Sequence, residues 1–579
     1  MKNYIQYFLL FFVLYSCSDD NTISEVEEID SGNIEVTVLL GSEAAIGAVV
    51  TTNPETRTLV VGESGVVVFN TIDSGNYVVN VVLNQNPDFV YFQEIVLTKN
   101  ETEKIIFNIP EIPVVTGQEL DVDFLLNVSY DNLRSIFNAD AYLSYWGDTG
   151  TDILKANPNF DSNLVDLDAY SFNAQSTIVN QVWTEHYIQI RGVNLGIDYL
   201  LDSSNVVTSE IDRKELEANF KFLRSLLYFN LIKIYGNPLL SITAEIDLSG
   251  PPNYPQNPNT TFAQIEDDLL YAIENLPVSN NNERGNQLSA RLLLAKVYMT
   301  MAGFPLNESS KYSNALEQLK VLQGQYELMA GYNSIFNEEN ESSNSEIIFK
   351  ITFDGGENSK SSFNDYWGPL GISSKDALLL VSGFENSFNK ALSFENPVSF
   401  PIEIEDNRFK NTIATFSISG GSVVNEEDPK NWRPLKWYNG ELPDANFEST
   451  SFDYPVLRYA DVLLLLAEAE NEVNGPTPLA YAAINQVRER AFGNTENNVP
   501  GNLNKKQFFN IIYLERKLEL CFEGYRRDDL VRWNKLQNVI DNFNSTNDFS
   551  KDYQPHEYIW PIPQSEIDLN PNAIQNPGY

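Results

Sequence analysis

The sequence predicts a mainly α-helical protein: a scaffold of paired helices of the tetratricopeptide type, with long loop insertions, preceded by a small β-sandwich. Three observations predict this class. Apolar residues recur at helical spacing through most of the chain after residue 117. Short alternating runs bounded by turn residues fill residues 32–110. Stretches rich in Gly, Asn, Ser and Pro interrupt the helical part. With 579 residues, the chain is also too long for a single core.

Residues 1–16 have the pattern of a lipoprotein signal peptide. Lys2 supplies the positive charge, and the apolar run from Ile5 to Leu14 is too short to span a bilayer as a mature helix. The run ends in LYSC, so we expect Cys17 to become the lipidated N-terminus of the mature chain. Residues 17–31 are acidic and aperiodic, which predicts a disordered tether.

Residues 32–110 predict the β-sandwich. Ile34, Val36 and Val38 alternate with polar residues, and further strand-like runs follow at short, regular spacing. These runs are Ala48–Thr52, Thr58–Val61, Val66–Phe69, Tyr77–Leu83, Phe89–Leu97 and Lys104–Ile109. The stretch GVVVFNTIDSGNYVVNV resembles transthyretin-like and carboxypeptidase-regulatory-like modules.

The next segments predict the paired helices. They are Leu120–Trp146, Gln175–Leu201, Ile211–Ile234, Phe262–Leu276, Leu288–Ala302 and Ser313–Leu322. Each has one apolar face that a neighbouring helix can cover. The insertions between and after them include 354–374 and 397–446, and loops of this length in a compact protein usually carry function.

A helix over Val456–Ala469 is apolar nearly all round, which is typical of a central helix. Its charged residues form one narrow stripe that contains Arg458, Asp461 and Glu468. Such a stripe is either a catalytic site or an internal network of ion pairs. We favour the network, because buried charges persist only when they are paired.

The segment from Phe508 to Trp533 offers the partners for that stripe. Glu515 opens a repeat of glutamates at every fourth position, and Arg526 begins a second charged helix. Two helices that carry both signs of charge can neutralise the stripe.

Three C-terminal motifs together resemble the SusD/RagB family: LRYADVLLLLAEAENE, ERKLELCFEGYRRDDLVRW and the ending YIWPIPQSEIDLNPNAIQNPGY. The resemblance extends back to about Gly117, so residues 117–579 are expected to form a SusD-like glycan-binding domain. It implies a lipid-anchored protein on the surface of the outer membrane of Bacteroidetes. Such proteins capture nutrients, usually glycans, for a SusC-like TonB-dependent transporter, and the acidic residues after Cys17 resemble the surface-targeting tag of these lipoproteins.

Sugar binding requires exposed aromatic faces that are rimmed by polar groups. The resemblance implies that such aromatics come from the loop around Trp367 and from the segment after the first helix. The candidate ligand-binding residues are Trp367, Tyr366, Asn364, Trp432, Trp146, Tyr170 and Phe160. A loop tryptophan can equally be an anchor packed into the protein, and both interpretations stay open for Trp367, Trp432 and Trp146.

The sequence provides no pattern for catalysis. His186 and His556 are far apart, with no zinc-binding spacing, and neither a GxSxG motif nor a phosphate-binding loop is present. Calcium binding to surface carboxylates is compatible with the sequence, but there is no EF-hand loop. No cofactor is expected, and the net charge of −42 disfavours nucleic acid as a partner.

We therefore expect a non-catalytic surface protein that binds an oligosaccharide or polysaccharide and passes it to the transporter. Two alternatives remain. The first is capture of cationic peptides, which the negative charge favours. The second is a surface glycoside hydrolase, which requires a pair of catalytic carboxylates.

Overall fold

The computed structural model divides the chain between Val114 and Val115 into two compact units. The residues that it describes are 31–40, 43–54, 56–83, 86–109, 120–138, 147–205, 207, 209–244, 254–255, 257–278, 281–353, 361–371, 375–390, 406–438, 451–547 and 550–579. No helix in these ranges is long and apolar enough to cross a membrane.

The first unit contains two four-stranded sheets. Its strands are β1 Ser31–Leu40, β2 Glu43–Ala44, β3 Val49–Asn53, β4 Leu59–Val60, β5 Val66–Asp73, β6 Gly75–Leu83, β7 Asn86–Leu97 and β8 Thr102–Ile109. In one sheet β1 pairs antiparallel with β2 and β5 and parallel with β8, and the other sheet has the order β4-β3-β6-β7.

The alternating residues of β1 explain why this unit folds. Ile34, Val36 and Val38 are fully buried, and they share one apolar core with Val50, Val79 and other residues of both sheets. The β-sheets that the sequence predicts are therefore confirmed. The resemblance to a transthyretin-like module stays a prediction.

The second unit is mainly helical, as the sequence predicts. Its helices are α1 Val122–Asp131, α2 Arg134–Phe137, α3 Ser162–Ala169, α4 Thr177–Leu201, α5 Glu210–Tyr235, α6 Asn259–Asn275, α7 Gln287–Ala302, α8 Lys311–Leu322, α9 Phe363–Tyr366, α10 Asn386–Lys390, α11 Asn407–Thr412, α12 Tyr459–Asn474, α13 Pro478–Phe492, α14 Lys505–Glu519, α15 Arg526–Arg532, α16 Leu536–Thr546 and α17 Gln564–Leu569. Short 3₁₀ segments occupy Tyr332–Phe336, Glu338–Ser343 and Pro429–Asn431.

Consecutive long helices pack against each other from α4 through α8, and α12 packs against α8, α13 and α14. The apolar faces of these helices form one core. Side-chain caps set where several helices begin: Asn286 before α7 and Asn504 before α14 each form a reciprocal capping box. The helical scaffold thus follows from periodicity and capping, both of which are visible in the sequence.

The central apolar segment is split between a strand and a helix, which corrects the prediction of one helix over Val456–Ala469. Tyr454–Arg458 forms β16, which pairs antiparallel with β10, Ile347–Ile351. The helix begins only at Tyr459, whose N–H donates to the Glu346 carbonyl at 2.9 Å. Periodicity cannot distinguish a short buried strand from a helical turn, so the tertiary pairing decides this element.

The insertions contribute the remaining short strands: β9 Leu154–Ala156, β11 Leu378–Leu380, β12 Ile413–Ala414, β13 Phe416–Ser419, β14 Ser422–Asn425 and β15 Arg433–Pro434. They pair antiparallel as β9 with β11, β12 with β15 and β13 with β14. The pairing of β9 with β11 joins two segments that are far apart in sequence.

Candidate functional site

The β9–β11 pair brings together the two segments in which the sequence places the binding aromatics. Leu378 lies opposite Ala156, and beyond the strand the Asn157 N–H donates to the Ala377 carbonyl at 2.8 Å. Phe160 follows β9 within one turn, and Tyr366 ends the short helix α9. Strand pairing therefore places an early helix connection beside a late loop insertion.

Phe160 and Tyr366 meet at this junction. Their ring centroids are 5.8 Å apart and the rings are nearly perpendicular, at 86°. This is a favourable edge-to-face arrangement. Both side chains are only half-buried, so part of each ring remains exposed. Among the candidate aromatics that the structure describes, these two combine mutual contact with exposure.

A chain of polar contacts begins next to Phe160. The Phe160 N–H donates to the Asn157 carbonyl, and the Asn157 side-chain amide donates to Asp376, at 2.8 Å to the carbonyl and 3.2 Å to Oδ2. Arg433 donates from Nε to Asp376 Oδ1 at 2.6 Å. The Asp376 side chain is 33% exposed, whereas the Arg433 side chain is 9% exposed. We call Phe160, Tyr366, Asn157, Asp376 and Arg433 the paired-aromatic site.

Trp367 requires a correction, because the structure does not leave it exposed. Its side chain is fully buried, and the indole lies 5.6 Å from the Phe522 ring, centroid to centroid. The neighbouring Tyr366 remains half-buried at the end of α9. Of the two interpretations of Trp367, the structure supports the loop anchor.

Trp432 and Tyr170 are corrected for the same reason. Trp432 is buried, donates from its indole N–H to the Glu426 carbonyl at 2.8 Å, and packs edge-on against Phe409. Tyr170 is buried at the end of α3, where its hydroxyl donates to the Gly150 carbonyl and accepts a hydrogen bond from Arg527. Both residues present no free ring face to a ligand in this structure.

Three expectations fall outside what the structure describes. Trp146 and Cys17 lie outside the described residues, and so does the side chain of Asn364, although its backbone belongs to α9. Their predicted roles stay predictions.

The charged stripe of the central segment is built into a buried network of ion pairs. Arg458 donates from Nε and Nη2 to Glu523, from Nη1 to Glu346 and Glu519, and from Nη2 to the Glu519 carbonyl. Its side chain is fully buried. All three nitrogens of this guanidinium therefore donate hydrogen bonds within the protein.

Ion pairs among the described residues extend this contact into a balanced cluster. Five cations and five carboxylates are linked: Arg408, Arg458, Arg488, Arg490 and Lys436 with Asp406, Glu346, Glu515, Glu519 and Glu523. We call this set the central charge cluster. Equal numbers of both signs satisfy the condition for keeping charges inside a protein.

A second balanced set surrounds Asp461 and Glu468. It links Lys296, Arg516 and Arg532 with Asp461, Asp529 and Glu468. Arg526 is paired separately with Asp152, at 2.7 Å. Of the partners that the sequence offers for the stripe, Glu519 and Glu523 pair with Arg458, and Arg532 pairs with Glu468. Glu515 joins the central charge cluster through Arg408 and Arg488. The architecture is that of a structural network.

Neighbouring cations lower the pKa of Glu519 in the central charge cluster and of Asp461 in the second set. Burial opposes the ionisation of Glu519, but Arg490, Arg458 and Arg408 lower the pKa of its carboxyl to about 2. Burial likewise opposes ionisation of Asp461, and Lys296 and Arg516 outweigh it, so that this pKa lies well below its usual value. A permanently paired carboxylate is unsuited to exchange protons at neutral pH.

The described residues contain no group of three or more His, Cys, Asp or Glu side chains that is arranged to hold a metal ion. Reasoning from the sequence missed Asn157, Asp376 and Arg433. Asn157 stands in an Asn-Pro-Asn turn directly after β9, a position that marks a loop but gives no indication of its distant partner.

Comparisons with known proteins agree with this architecture. The family profile described as "SusD family" matches residues 411–579, and the profile described as "Starch-binding associating with outer membrane" matches residues 119–299. A SusD-like protein of Formosa agariphila is 28% identical over 499 residues, which cover 76% of this chain and 88% of the relative.

Solved structures share the fold of the helical unit. A SusD homologue from Bacteroides thetaiotaomicron superposes with a TM-score of 0.69 at 25% identity, covering 79% of this chain and 97% of that one. A laminarin-binding SusD-like protein superposes with a TM-score of 0.64 at 23% identity, covering 80% of this chain and 100% of that one. With the two profiles and the relative from Formosa agariphila, these matches show that the chain belongs to the SusD/RagB family, whose members associate with the outer membrane.

Proposed function

We propose that this protein is a lipid-anchored binder at the cell surface that captures a polysaccharide or oligosaccharide and passes it to a TonB-dependent transporter. The observation that carries the proposal is the paired-aromatic site. Phe160 and Tyr366 offer partly exposed aromatic faces, and the partly exposed carboxylate of Asp376 is a hydrogen-bond acceptor suited to sugar hydroxyls. Apolar faces combined with hydrogen-bonding edges match the chemistry of a sugar ring.

The family membership supports the same ligand class. One profile that matches the chain is described as starch-binding, and one structural neighbour binds laminarin. SusD family members are binding proteins and not enzymes, so the chain is not an enzyme, as predicted. A glycan binder without catalytic activity requires a partner that takes up the captured ligand, which is the role we assign to the transporter.

The test of glycan binding is a screen of starch, laminarin and other polysaccharides, together with cationic peptides, on the chain from residue 18 onward. We expect one glycan to bind without release of new reducing ends. The double variant Phe160→Ala/Tyr366→Ala should weaken that binding at least about tenfold, since each aromatic contact contributes on the order of 1 kcal/mol. Tyr312→Ala is the matched control, because Tyr312 is also half-buried and lies on α8.

Three outcomes oppose the proposal. Binding of peptides alone favours peptide capture, and released reducing ends favour a hydrolase. Glycan binding that is unchanged in the double variant shows that the glycan does not bind at the paired-aromatic site. The anchor is tested separately. Cys17→Ala in the full chain should shift the protein from the membrane fraction to the soluble fraction, and retention in the membrane would contradict lipidation of Cys17.

A further inference from the structure

A separate cavity of about 440 Å³ lies where the segment after α8 meets the start of α12 and one face of α13. Tyr326, Tyr459, Gln486, Glu489 and Arg490 contribute to its wall. The volume falls within the range of small-molecule sites. None of these residues belongs to the paired-aromatic site.

Two hydrogen-bond donors in this wall are unsatisfied. The Tyr326 hydroxyl and the Arg490 Nε–H are buried and have no hydrogen-bond partner among the residues that the structure describes. The Arg490 side chain is 4% exposed, and its other two nitrogens donate to Glu346 at 3.0 Å and to Glu519 at 2.6 Å. A buried donor without an acceptor is destabilising. Two of them in one cavity wall indicate that an acceptor comes from outside the chain.

The charges of the wall indicate a neutral ligand. Arg490 is already neutralised by two buried carboxylates, and Glu327 and Glu489 add negative charge to the lining, so an anion is disfavoured. A cation would lie next to the Arg490 guanidinium. A neutral ligand rich in hydroxyl groups avoids both conflicts, because each hydroxyl both accepts and donates.

The remaining lining suits a sugar ring in particular. The half-buried Tyr326 ring, whose centroid lies 6.4 Å from that of the buried Tyr459 ring, provides an aromatic face for C–H groups. Gln486 is exposed at the cavity, where its side-chain amide can bond hydroxyls. The paired-aromatic site contains the same kinds of group: aromatic rings, a side-chain amide and a carboxylate.

We propose that this cavity is a second sugar-binding subsite that takes one neutral sugar ring and satisfies the Tyr326 and Arg490 donors. The inference rests on the proposed function, since it assumes the same class of ligand. Neither donor atom is open to solvent, so the Tyr326 side chain has to move when the sugar ring binds. Tyr326 lies in the irregular segment between α8 and the 3₁₀ segment at Tyr332–Phe336, which allows that movement.

Saturation-transfer NMR with the methyl glycosides of glucose, galactose, mannose and xylose tests the subsite on the chain from residue 18 onward. We expect at least one glycoside to bind, and to bind equally well to Phe160→Ala/Tyr366→Ala. Tyr326→Phe should weaken it about tenfold, because it removes one hydrogen bond. Tyr312→Phe is the control and should change nothing. The thermal stability of free Tyr326→Phe should be unchanged or raised, since the lost hydroxyl has no partner.

Each result separates this inference from the proposed function. If no glycoside binds, if binding is lost only in the Phe160/Tyr366 variant, or if Tyr326→Phe binds normally, the subsite is refuted, even where the polysaccharide screen succeeds. If a glycoside binds in the Tyr326-dependent manner while no polysaccharide depends on Phe160 and Tyr366, the subsite stands and the paired-aromatic site fails.

Discussion

Two Arg–carboxylate contacts in this protein differ in burial, and this difference distinguishes a structural ion pair from one that a ligand can reach. Arg458 is fully buried, and all its donors are used by Glu346, Glu519 and Glu523 within a cluster of balanced charge. Arg433 also pairs with a carboxylate, but the Asp376 side chain is one-third exposed and accepts from Asn157, whose carbonyl accepts from the Phe160 N–H. The first contact is closed to solvent, whereas the carboxylate of the second is partly exposed to it.

The largest expected loss of stability comes from removing an arginine from the central charge cluster. Arg458→Met should lower the free energy of unfolding by ~3–5 kcal/mol, because it leaves three buried carboxylates without their shared partner. Urea denaturation measures this effect. Lys505→Met is the matched control: Lys505 pairs with Glu472 but is half exposed, so its loss should cost at most ~1 kcal/mol. Equal effects of the two variants would contradict the comparison.

A buried and a half-buried aromatic residue sharpen the comparison. Trp367→Ala should destabilise the protein by ~3–5 kcal/mol, since the side chain is fully buried in the core. Phe160→Ala should cost clearly less stability, because Phe160 is half-buried, and yet it should weaken glycan binding more. Denaturation and binding titrations on both variants check this. If Trp367→Ala abolishes binding while leaving stability intact, the assignment of the two roles is reversed.

The buried carboxyl of Asp148 should make stability depend on pH. Burial raises its pKa to about 7, although the Gly524 and Arg526 N–H groups, which donate to it at 2.8 and 3.2 Å, oppose the shift. In the unfolded chain the pKa of an aspartate carboxyl is ~4. The stabilisation of the folded state by the protonated Asp148 carboxyl is therefore complete below pH ~4 and is lost as the pH rises through about 7.

Between pH ~4 and pH ~7, the free energy of unfolding of Asp148→Asn should decrease by ~1–3 kcal/mol less than that of the parent protein. Urea denaturation at several pH values measures it. Asp123→Asn, at an exposed position of α1, is the control and should leave the profile unchanged. A profile of Asp148→Asn that runs parallel to that of the parent protein would show that this carboxyl is already ionised when folded.

The smallest effect on stability is expected at the polar part of the paired-aromatic site. Asp376→Asn should change the free energy of unfolding by less than ~1 kcal/mol, because the pair with Arg433 is partly exposed. It should nevertheless weaken glycan binding severalfold, since a charge-assisted acceptor for hydroxyls is lost. Calorimetric titration with the glycan from the screen measures this. Asp123→Asn, at an exposed position of α1, is the control for binding.

Much of the fold could be predicted because its signals are local. The alternation in β1 and the 3.6-residue periodicity of α4 to α8 appear in the structure within a few residues of the predicted bounds. The strand at Tyr454–Arg458 was missed because a buried strand and a helical turn carry the same apolar residues. Half of the aromatic prediction also failed: Tyr366 and Trp367 are neighbours in sequence, and only their packing differs.

The sequence by itself determined the family, the helical scaffold, the N-terminal sheets and the complementary charges of the two C-terminal segments, because these depend on periodicity, composition and motif order. The tertiary structure alone decided which aromatics reach solvent and which polar groups surround them. Asn157 meets Asp376 only through the β9–β11 pair, and a Cβ at Gly147 would lie 1.7 Å from the Gly524 carbonyl oxygen. Such contacts join residues hundreds of positions apart, and no local pattern encodes them.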